Sequence, residues 1–387
     1  MTRPLDGLVV ADFSRVLAGP LTTVMLADLG ADVIKVERPG EGDDTRAWGP
    51  PWTADTSAYF TCANRSKRSI TLDLTDEEDL ALARELARRA DVVVENFKTG
   101  TLDRHGLGYE QVRATNPGVV YCSITGFGSG GGADLPGYDF LVQAVGGLMS
   151  ITGAPDGDPM KVGVALVDVL TSKDATIGIL AALRAREATG PRHGLGQHVE
   201  VNLLSSLLGS LANQTSAYLA TGTDPVRLGN AHPSIAPYEL LTCADGPLAV
   251  ACGNDGQFRR LAEVAGAPWL ADDERFATNP ARVKHRDDLV KALEERLATA
   301  PAQHWVDTFT AVGVPAGKVG SVGEAFALAA RLGLEPRVPV GEGQPDQVRH
   351  PITYSDTPVT RYHAPPRLGE HSDEIRRWLS NHHKEIR

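Results

Sequence analysis

Cysteine is scarce in this 387-residue chain: Cys62, Cys122, Cys243 and Cys252 are the whole complement, and no two stand at a CxxC spacing. Neither a zinc site nor a disulfide framework is implied, and reduced thiols are expected. Basic charge is also short, with 38 Lys and Arg against 49 Asp and Glu and a net charge of -11. Nucleic acid and anionic membranes both select a positive surface, so neither is expected as the main partner. No apolar run approaches a membrane span, and the apolar start of the chain is interrupted at Asp12 too soon for a signal peptide. A cytoplasmic protein with no bound metal is expected. Internal repeats and low-complexity tracts are absent. So are a Walker P-loop and a complete GxGxxG fingerprint, which weakens kinase, ATPase and NAD dehydrogenase readings.

What is present is an ordinary globular composition, 42% hydrophobic and 22% charged, in a chain long enough for two modest domains. The first 130 residues alternate strand and helix signals. Leu8–Phe13, Asp32–Glu37, Ser69–Leu74, Asp91–Phe97 and Val119–Phe127 read as strands, with helices over Pro20–Leu29 and Thr75–Ala90. Thr75 and Glu78 have the spacing of a capping box. This alternation predicts an α/β fold with an open, largely parallel, Rossmann-like sheet, whose ligand binds beyond the carboxyl ends of the strands. Residues 202–219 read as one long helix, apolar nearly all round and therefore buried in a core or a subunit interface. From Tyr238 the pattern becomes that of a smaller α+β unit. The expected division is 1–221 for a large domain, 222–331 for a linker and small domain, and 332–387 for a return to the large domain.

Asp168 stands out, because the run from Val162 to Leu170 is otherwise apolar or glycine. A carboxylate so placed must be hydrogen-bonded, paired or used. The run before it reads as a short buried strand and Thr171–Arg186 as a helix, so Asp168 is expected at or just before a helix N-cap. Capping and catalysis are compatible: N–H groups that hold a carboxylate also stabilise an oxyanion formed on it.

Other residues join it. Arg38, Arg65, Lys67, Arg68, Lys98 and Arg104 lie at or after strand ends, and such a set would suit a phosphate-rich ligand, although solvated surface charge explains it equally well. Ala18-Gly19-Pro20 precedes a helix and Gly126–Gly132 follows a strand, so either could bring backbone N–H groups to a phosphate or thioester. Gly137-Tyr138-Asp139 lies about one βαβ arm before Asp168.

Together these segments resemble the family III coenzyme A transferases, the group that includes formyl-CoA transferase and the carnitine CoA transferase. The likeness is carried by VVADFSRVLAGP (9–20), LADLGADVIKVERPG (26–40), residues 46–51, ANRSKRSITLDL (63–74), DVVVENFKTGTLDRHGLGYE (91–110), CSITGFG (122–128), the Asp168 segment and GNDGQF (253–258). It implies a homodimer of interlinked chains, with the apolar helix after Asn202 in the linkage. Acyl-CoA and a small carboxylic acid become the expected partners, and coenzyme A a substrate with no prosthetic group. By position Asp168 matches the catalytic aspartate. Val16, Ala18, Arg38, Leu72, Asn96, Phe97 and Arg104 match positions that hold coenzyme A. Leu17, Trp48, Tyr59, Tyr138 and Asp139, with Arg46, are candidates for the acyl and acceptor pocket. Leu17 replaces a glutamine of formyl-CoA transferase, which suggests a more apolar acyl group than oxalate. Two other readings stand beside this one: an α-methylacyl-CoA racemase, which needs a histidine where this chain has Tyr138, and a CoA-binding protein without turnover.

Overall fold

The computed structural model describes residues 3–53 and 55–381. It divides into one unit of Met1–Leu148, Lys161–Thr223 and Glu335–Arg387 and a second of Met149–Met160 and Asp224–Leu334. The expected first segment, 1–221, is thus interrupted. Residues 149–160 belong with the second unit, where Arg227 donates to the Ser150 carbonyl (3.3 Å) and the Gly229 N–H to that of Gly153 (3.0 Å).

In the first unit six strands pair in parallel: β1 (Val9–Asp12), β2 (Asp32–Glu37), β3 (Arg68–Thr71), β4 (Val92–Glu95), β5 (Val120–Thr125) and β6 (Gln197–Asn202). Their order is β3-β2-β1-β4-β5-β6, the Rossmann arrangement, in which strand order reverses between β1 and β4. Runs such as Val92-Val93-Val94 are apolar on both sides because helices cover both faces. The helices of this unit are α1 (Ala18–Asp28), α2 (Ala58–Asn64), α3 (Glu77–Arg89), α4 (Tyr109–Thr115), α5 (Asp139–Val145), α7 (Leu166–Glu187), α8 (Leu203–Ser210) and α9 (Asn213–Thr221), while α6 (Leu148–Ile151) falls, after its first residue, in the segment that belongs with the second unit. On one face Leu26 of α1 and Ile179 and Leu183 of α7 pack on Val10, Val92 and Val120. On the other, Ala83 and Leu86 of α3 and Val112 of α4 pack on Ile34 and Val93, joined from the chain's end by Ile375 and Leu379.

The second unit holds an antiparallel sheet of β7 (Tyr238–Cys243), β8 (Gly246–Ala251) and β9 (Ala316–Lys318). Around it lie α10 (Asp255–Val264), α11 (Asn279–Lys284), α12 (Arg286–Leu297), α13 (Ala302–Ala311) and α14 (Val322–Arg331). Helix α14 escapes the sequence reading, although Ser321 and Glu324 close a full capping box at its start. The tail adds a short ribbon, β10 (Arg337–Val338) with β11 (Gln347–Val348), and α15 (Ser372–Ser380). Among the described residues no helix is long and apolar enough to cross a membrane.

Three local expectations are corrected. The Thr75–Glu78 capping box does not form: Asp76 caps α3 through the N–H groups of Glu78 and Asp79, while Thr75 bonds Asp73. Residues 202–219 are two helices, broken at Ala212 with a φ of 46°. Only part of their apolar surface is enclosed in this chain: Leu203 and Leu207 are buried, while Leu208, Tyr218 and Leu219 stand exposed. No strand precedes Asp168. The backbone of 162–164 has no partner strand and is held by Gln143, which accepts from the Val162 N–H (2.9 Å) and donates to the Val164 carbonyl (3.4 Å).

Candidate active site

The reversal of strand order leaves a crevice between the loops that follow β1 and β4. Asp12, buried at the end of β1, accepts bonds from the Ser14 N–H (3.0 Å), the Thr23 hydroxyl (2.6 Å) and the Lys67 ammonium (3.0 Å). The chain then turns sharply enough to place Val16 at a φ of 68°, a conformation that costs a branched residue roughly 1 kcal/mol or more. Its N–H is held by the Asp43 carboxylate (3.3 Å), itself buried against Lys35 (2.9 Å). The turn needs glycine at 19, since a Cβ there would lie 2.2 Å from that of Ser14. Across the crevice Asn96 exchanges two hydrogen bonds with Arg15, N–H to Oδ1 (2.8 Å) and Nδ2 to carbonyl (2.7 Å). Asn96 thereby ties the two loops together.

Two adjoining cavities follow from this construction. One, of about 450 Å³, is lined by Val16, Leu17, Ala18, Asn96, Phe97, Tyr138 and Asp168, together with Arg15, Lys98 and the Gly126–Gly137 loop. The second, of about 250 Å³, is lined by Arg38, Leu72 and Phe97, with Lys35, Asp43, Thr75 and His105. Arg15 and Phe97 line both, the guanidinium standing 5.2 Å from the ring centre. Most residues singled out by sequence thus converge on these two adjoining cavities. Arg104 is exposed on the 3-10 turn Asp103–His105 and lines neither cavity, although its neighbours Leu102 and His105 line the second.

The six cations do not act as one set. Arg65 is buried against Asp28 (2.5 Å), Lys67 against Asp12, and Arg68 pairs with Asp32 and Glu374. Those three are structural. Arg38, Lys98 and Arg104 remain exposed beyond the strand ends, and the structure adds Arg15, which sequence reading passed over because one arginine in a loop carries no signal.

Asp168 is the third residue of α7, not its cap. The cap comes from Asp139 at the start of α5, whose Oδ1 accepts from the N–H groups of Val167 (2.7 Å) and Asp168 (3.3 Å). Its Oδ2 accepts from Gln143 (2.7 Å). One carboxylate therefore orients the first turn that carries another. Burial pushes the Asp168 carboxyl up to about 7, and the negative charge of Asp139 adds to the effect. Tyr59 faces the same charge: burial, then Asp168, Cys62, Asp139 and Asp43, push its phenol up to about 12. Its ring meets Trp48 edge-on at 5.2 Å, and neither side chain lines either cavity. Arg46 is committed elsewhere, bound through two nitrogens to Glu37 (2.7 Å each).

The Gly-rich loop has a steric reason for its glycines. A Cβ on Gly137 would lie 2.4 Å from the Cα of Gly126, and the reverse holds for Gly126. Gly137→Ala is expected to lower stability by about 1–3 kcal/mol through overpacking. The check is the midpoint of chemical denaturation; an unchanged midpoint would mean that the two backbones part freely.

A family model described as CoA-transferase family III matches residues 5–372. A relative from Agrobacterium fabrum named succinate–glutarate CoA-transferase is 48% identical over 384 residues, spanning 96% of this chain and 94% of its own. Acetyl-CoA:oxalate CoA-transferase of Acetobacter aceti is 45% identical over 327 residues, spanning 84% and 83%. The crystal structure of a CAIB/BAIF family protein from Brucella suis superposes with a TM-score of 0.87 at 46% identity, covering 98% of this chain and all of that one (100%).

Proposed function

The chain belongs to CoA-transferase family III, enzymes that move coenzyme A from an acyl-CoA to a carboxylic acid, and from that premise we propose that Asp168 carries the coenzyme between the two. A carboxylate oxygen of Asp168 attacks the thioester carbonyl. The C–S bond breaks, CoA leaves as a thiolate, and a mixed anhydride joins the aspartyl and acyl groups. The thiolate next attacks the aspartyl carbonyl, which frees the donor acid and leaves an aspartyl thioester. The acceptor carboxylate attacks that carbonyl and releases the thiolate, which takes the acceptor's acyl carbon and restores Asp168. No step uses water or a prosthetic group, so the thioester's energy is kept.

The observation that carries this reading is the position of Asp168. It shares one cavity with the start of α1 and the Asn96–Phe97 turn, on the side of the sheet where open α/β folds bind ligands. Burial strips the carboxylate of hydration, which makes it a better nucleophile and keeps water from the anhydride. The groove on the far side, with Arg38, Leu72 and Phe97, suits an adenine nucleotide. Arg15, Arg38, Lys98 and Arg104 are exposed cations that could turn to its phosphates, the first three from surface ion pairs with Asp44, Glu41 and Asp134. Holding the coenzyme far from the reacting carbon can contribute roughly 7–11 kcal/mol through positioning.

A racemase needs two acid/base groups on opposite sides of the substrate. No histidine lines the cavity with Asp168, and Tyr138, whose ordinary pKa is about 10, is a poor exchange partner. The acids in the relatives' names, succinate, glutarate and oxalate, are dicarboxylic. They favour a short dicarboxylic acid over the apolar acyl group that Leu17 suggests. The exposed apolar residues of α7 to α9, Ile177, Leu208 and Leu219 among them, support a homodimer in which a second copy covers them.

Mass spectrometry of CoA esters after incubation with succinyl-CoA and a mixed panel of acids tests the assignment. New thioesters of glutarate or another short dicarboxylate are expected. Exclusive use of monocarboxylic acids would overturn the substrate class, and epimerisation of a 2-methylacyl-CoA without exchange would overturn the reaction.

A further inference from the structure

Beside the Asn96–Phe97 turn lies a third cavity of about 240 Å³, lined by Glu95, Tyr121, Ser123, His198 and the residues that follow the turn, Lys98 to Gly100. Glu95 ends β4, the strand beside the reversal, and is 9% exposed. Its Oε2 accepts the N–H of Phe97 (2.9 Å), two residues on, so the carboxylate closes the turn that places Asn96 on Arg15 and Phe97 in both halves of the groove. Glu95 also accepts the Ser123 hydroxyl. The Ser123 hydroxyl also shares a hydrogen bond with His198 Nε2 (2.9 Å). The imidazole is fixed in turn by stacking on Tyr109 (4.7 Å between centres) and by the edge of Tyr121 (5.6 Å).

We propose that Glu95 is a positioning residue for acyl-CoA: its carboxylate, fixed by Ser123, sets the Asn96–Phe97 turn for the coenzyme, and does so fully only when ionised. The inference rests on the reading that this turn holds coenzyme A. A carboxylate accepts a stronger, charge-assisted bond than a carboxylic acid does, so protonation loosens the turn. Burial raises the Glu95 carboxyl to about 6, against the bonds from Ser123 and Phe97, with Asp103 of the following turn adding to the rise. The other titratable neighbours are Lys98 in the turn, which pairs with Asp134 (2.8 Å), Tyr121 and Cys122 on β5, His198 and Glu200 on β6, and Tyr109 and Glu110 on α4. The carboxyl group therefore gains its proton in a mildly acidic medium, inside the range where the intact enzyme can be assayed.

The test is the pH dependence of coenzyme A binding by calorimetry, from pH 5 to 8, for the full chain and for Glu95→Gln. Titration of the ligand's phosphates and of Asp168 is common to both proteins, so the ratio of their dissociation constants isolates Glu95. Expected is a ratio that changes by roughly three- to tenfold across a midpoint near pH 6, with the unsubstituted protein losing affinity as the pH falls. Ser123→Ala removes a bond that favours the ionised form and should move that midpoint upward. A ratio flat with pH, or one of opposite sign, overturns the proposal. Phe97→Ala separates the two levels: weakened coenzyme A binding with a flat Glu95 ratio sinks this inference alone, and unchanged binding sinks the reading of the turn.

Discussion

Asp168→Asn is expected to lower CoA exchange by on the order of ten-thousandfold or more, as loss of a covalent nucleophile does elsewhere, while coenzyme A binding is expected to persist. Binding should survive because the second cavity, with Arg38, Leu72 and Phe97, is built from the loops after β1, β2, β3 and β4 and takes no residue from α7. The same variant should be more stable than the parent. Folding raises the Asp168 carboxyl from 3.8 to about 7, so the folded state favours the protonated form. Its stabilising contribution is complete below pH 3.8 and is lost as the pH rises through about 7. At pH 8 the parent therefore holds a buried charge that the asparagine lacks, a difference of on the order of 4 kcal/mol at most, and at pH 4 the two should match. Denaturation at both pH values checks this. Equal stability at pH 8 would mean that the carboxylate is well solvated and not held in reserve for chemistry.

The second large effect is the acid limb of the reaction. Only the ionised form of Asp168 can attack, so kcat/KM of the free enzyme should fall about tenfold per unit below a pH of about 7. Asp139 contributes to that value by charge and to the helix by capping, and two substitutions separate the roles. Asp139→Asn keeps an oxygen for the N–H groups of Val167 and Asp168 but removes the charge, so the limb moves to lower pH with little change in stability. Asp139→Ala also removes the cap and should cost a further 1 kcal/mol or so. A limb that stays in place in the asparagine variant would show that burial alone sets the Asp168 carboxyl.

The two aspartates also show where sequence reading succeeds and stops. Asp168 is conspicuous in an apolar run because burying an unpaired carboxylate is costly, and that argument needs no coordinates. What the run cannot reveal is that Val162–Ala165 has no neighbouring strand. Its β-branched residues suggest one, and the pairing that would decide the matter is a tertiary fact. Asp139 lies 29 residues away, so its capping of α7 leaves no local signature of the kind that made Thr75 and Glu78 look like a box. The open parallel sheet followed from alternating strands and helices, because short right-handed crossovers leave few other solutions. The fate of the cations did not, since nothing in the sequence beside Lys67, just before β3, or Arg38, just after β2, distinguishes a buried ion pair from an exposed charge. Glu95, Ser123 and His198 come from three different strands or strand ends and meet only through the register of β4, β5 and β6.

Trapping the aspartyl thioester decides whether Asp168 carries the coenzyme. The protein is incubated with succinyl-CoA in the presence of hydroxylamine, digested, and its peptides are read by mass spectrometry. A hydroxamate on Asp168 that requires the acyl-CoA and disappears in Asp168→Asn is the expected result. A hydroxamate on another residue, or acyl exchange that continues in Asp168→Asn, would contradict the mechanism.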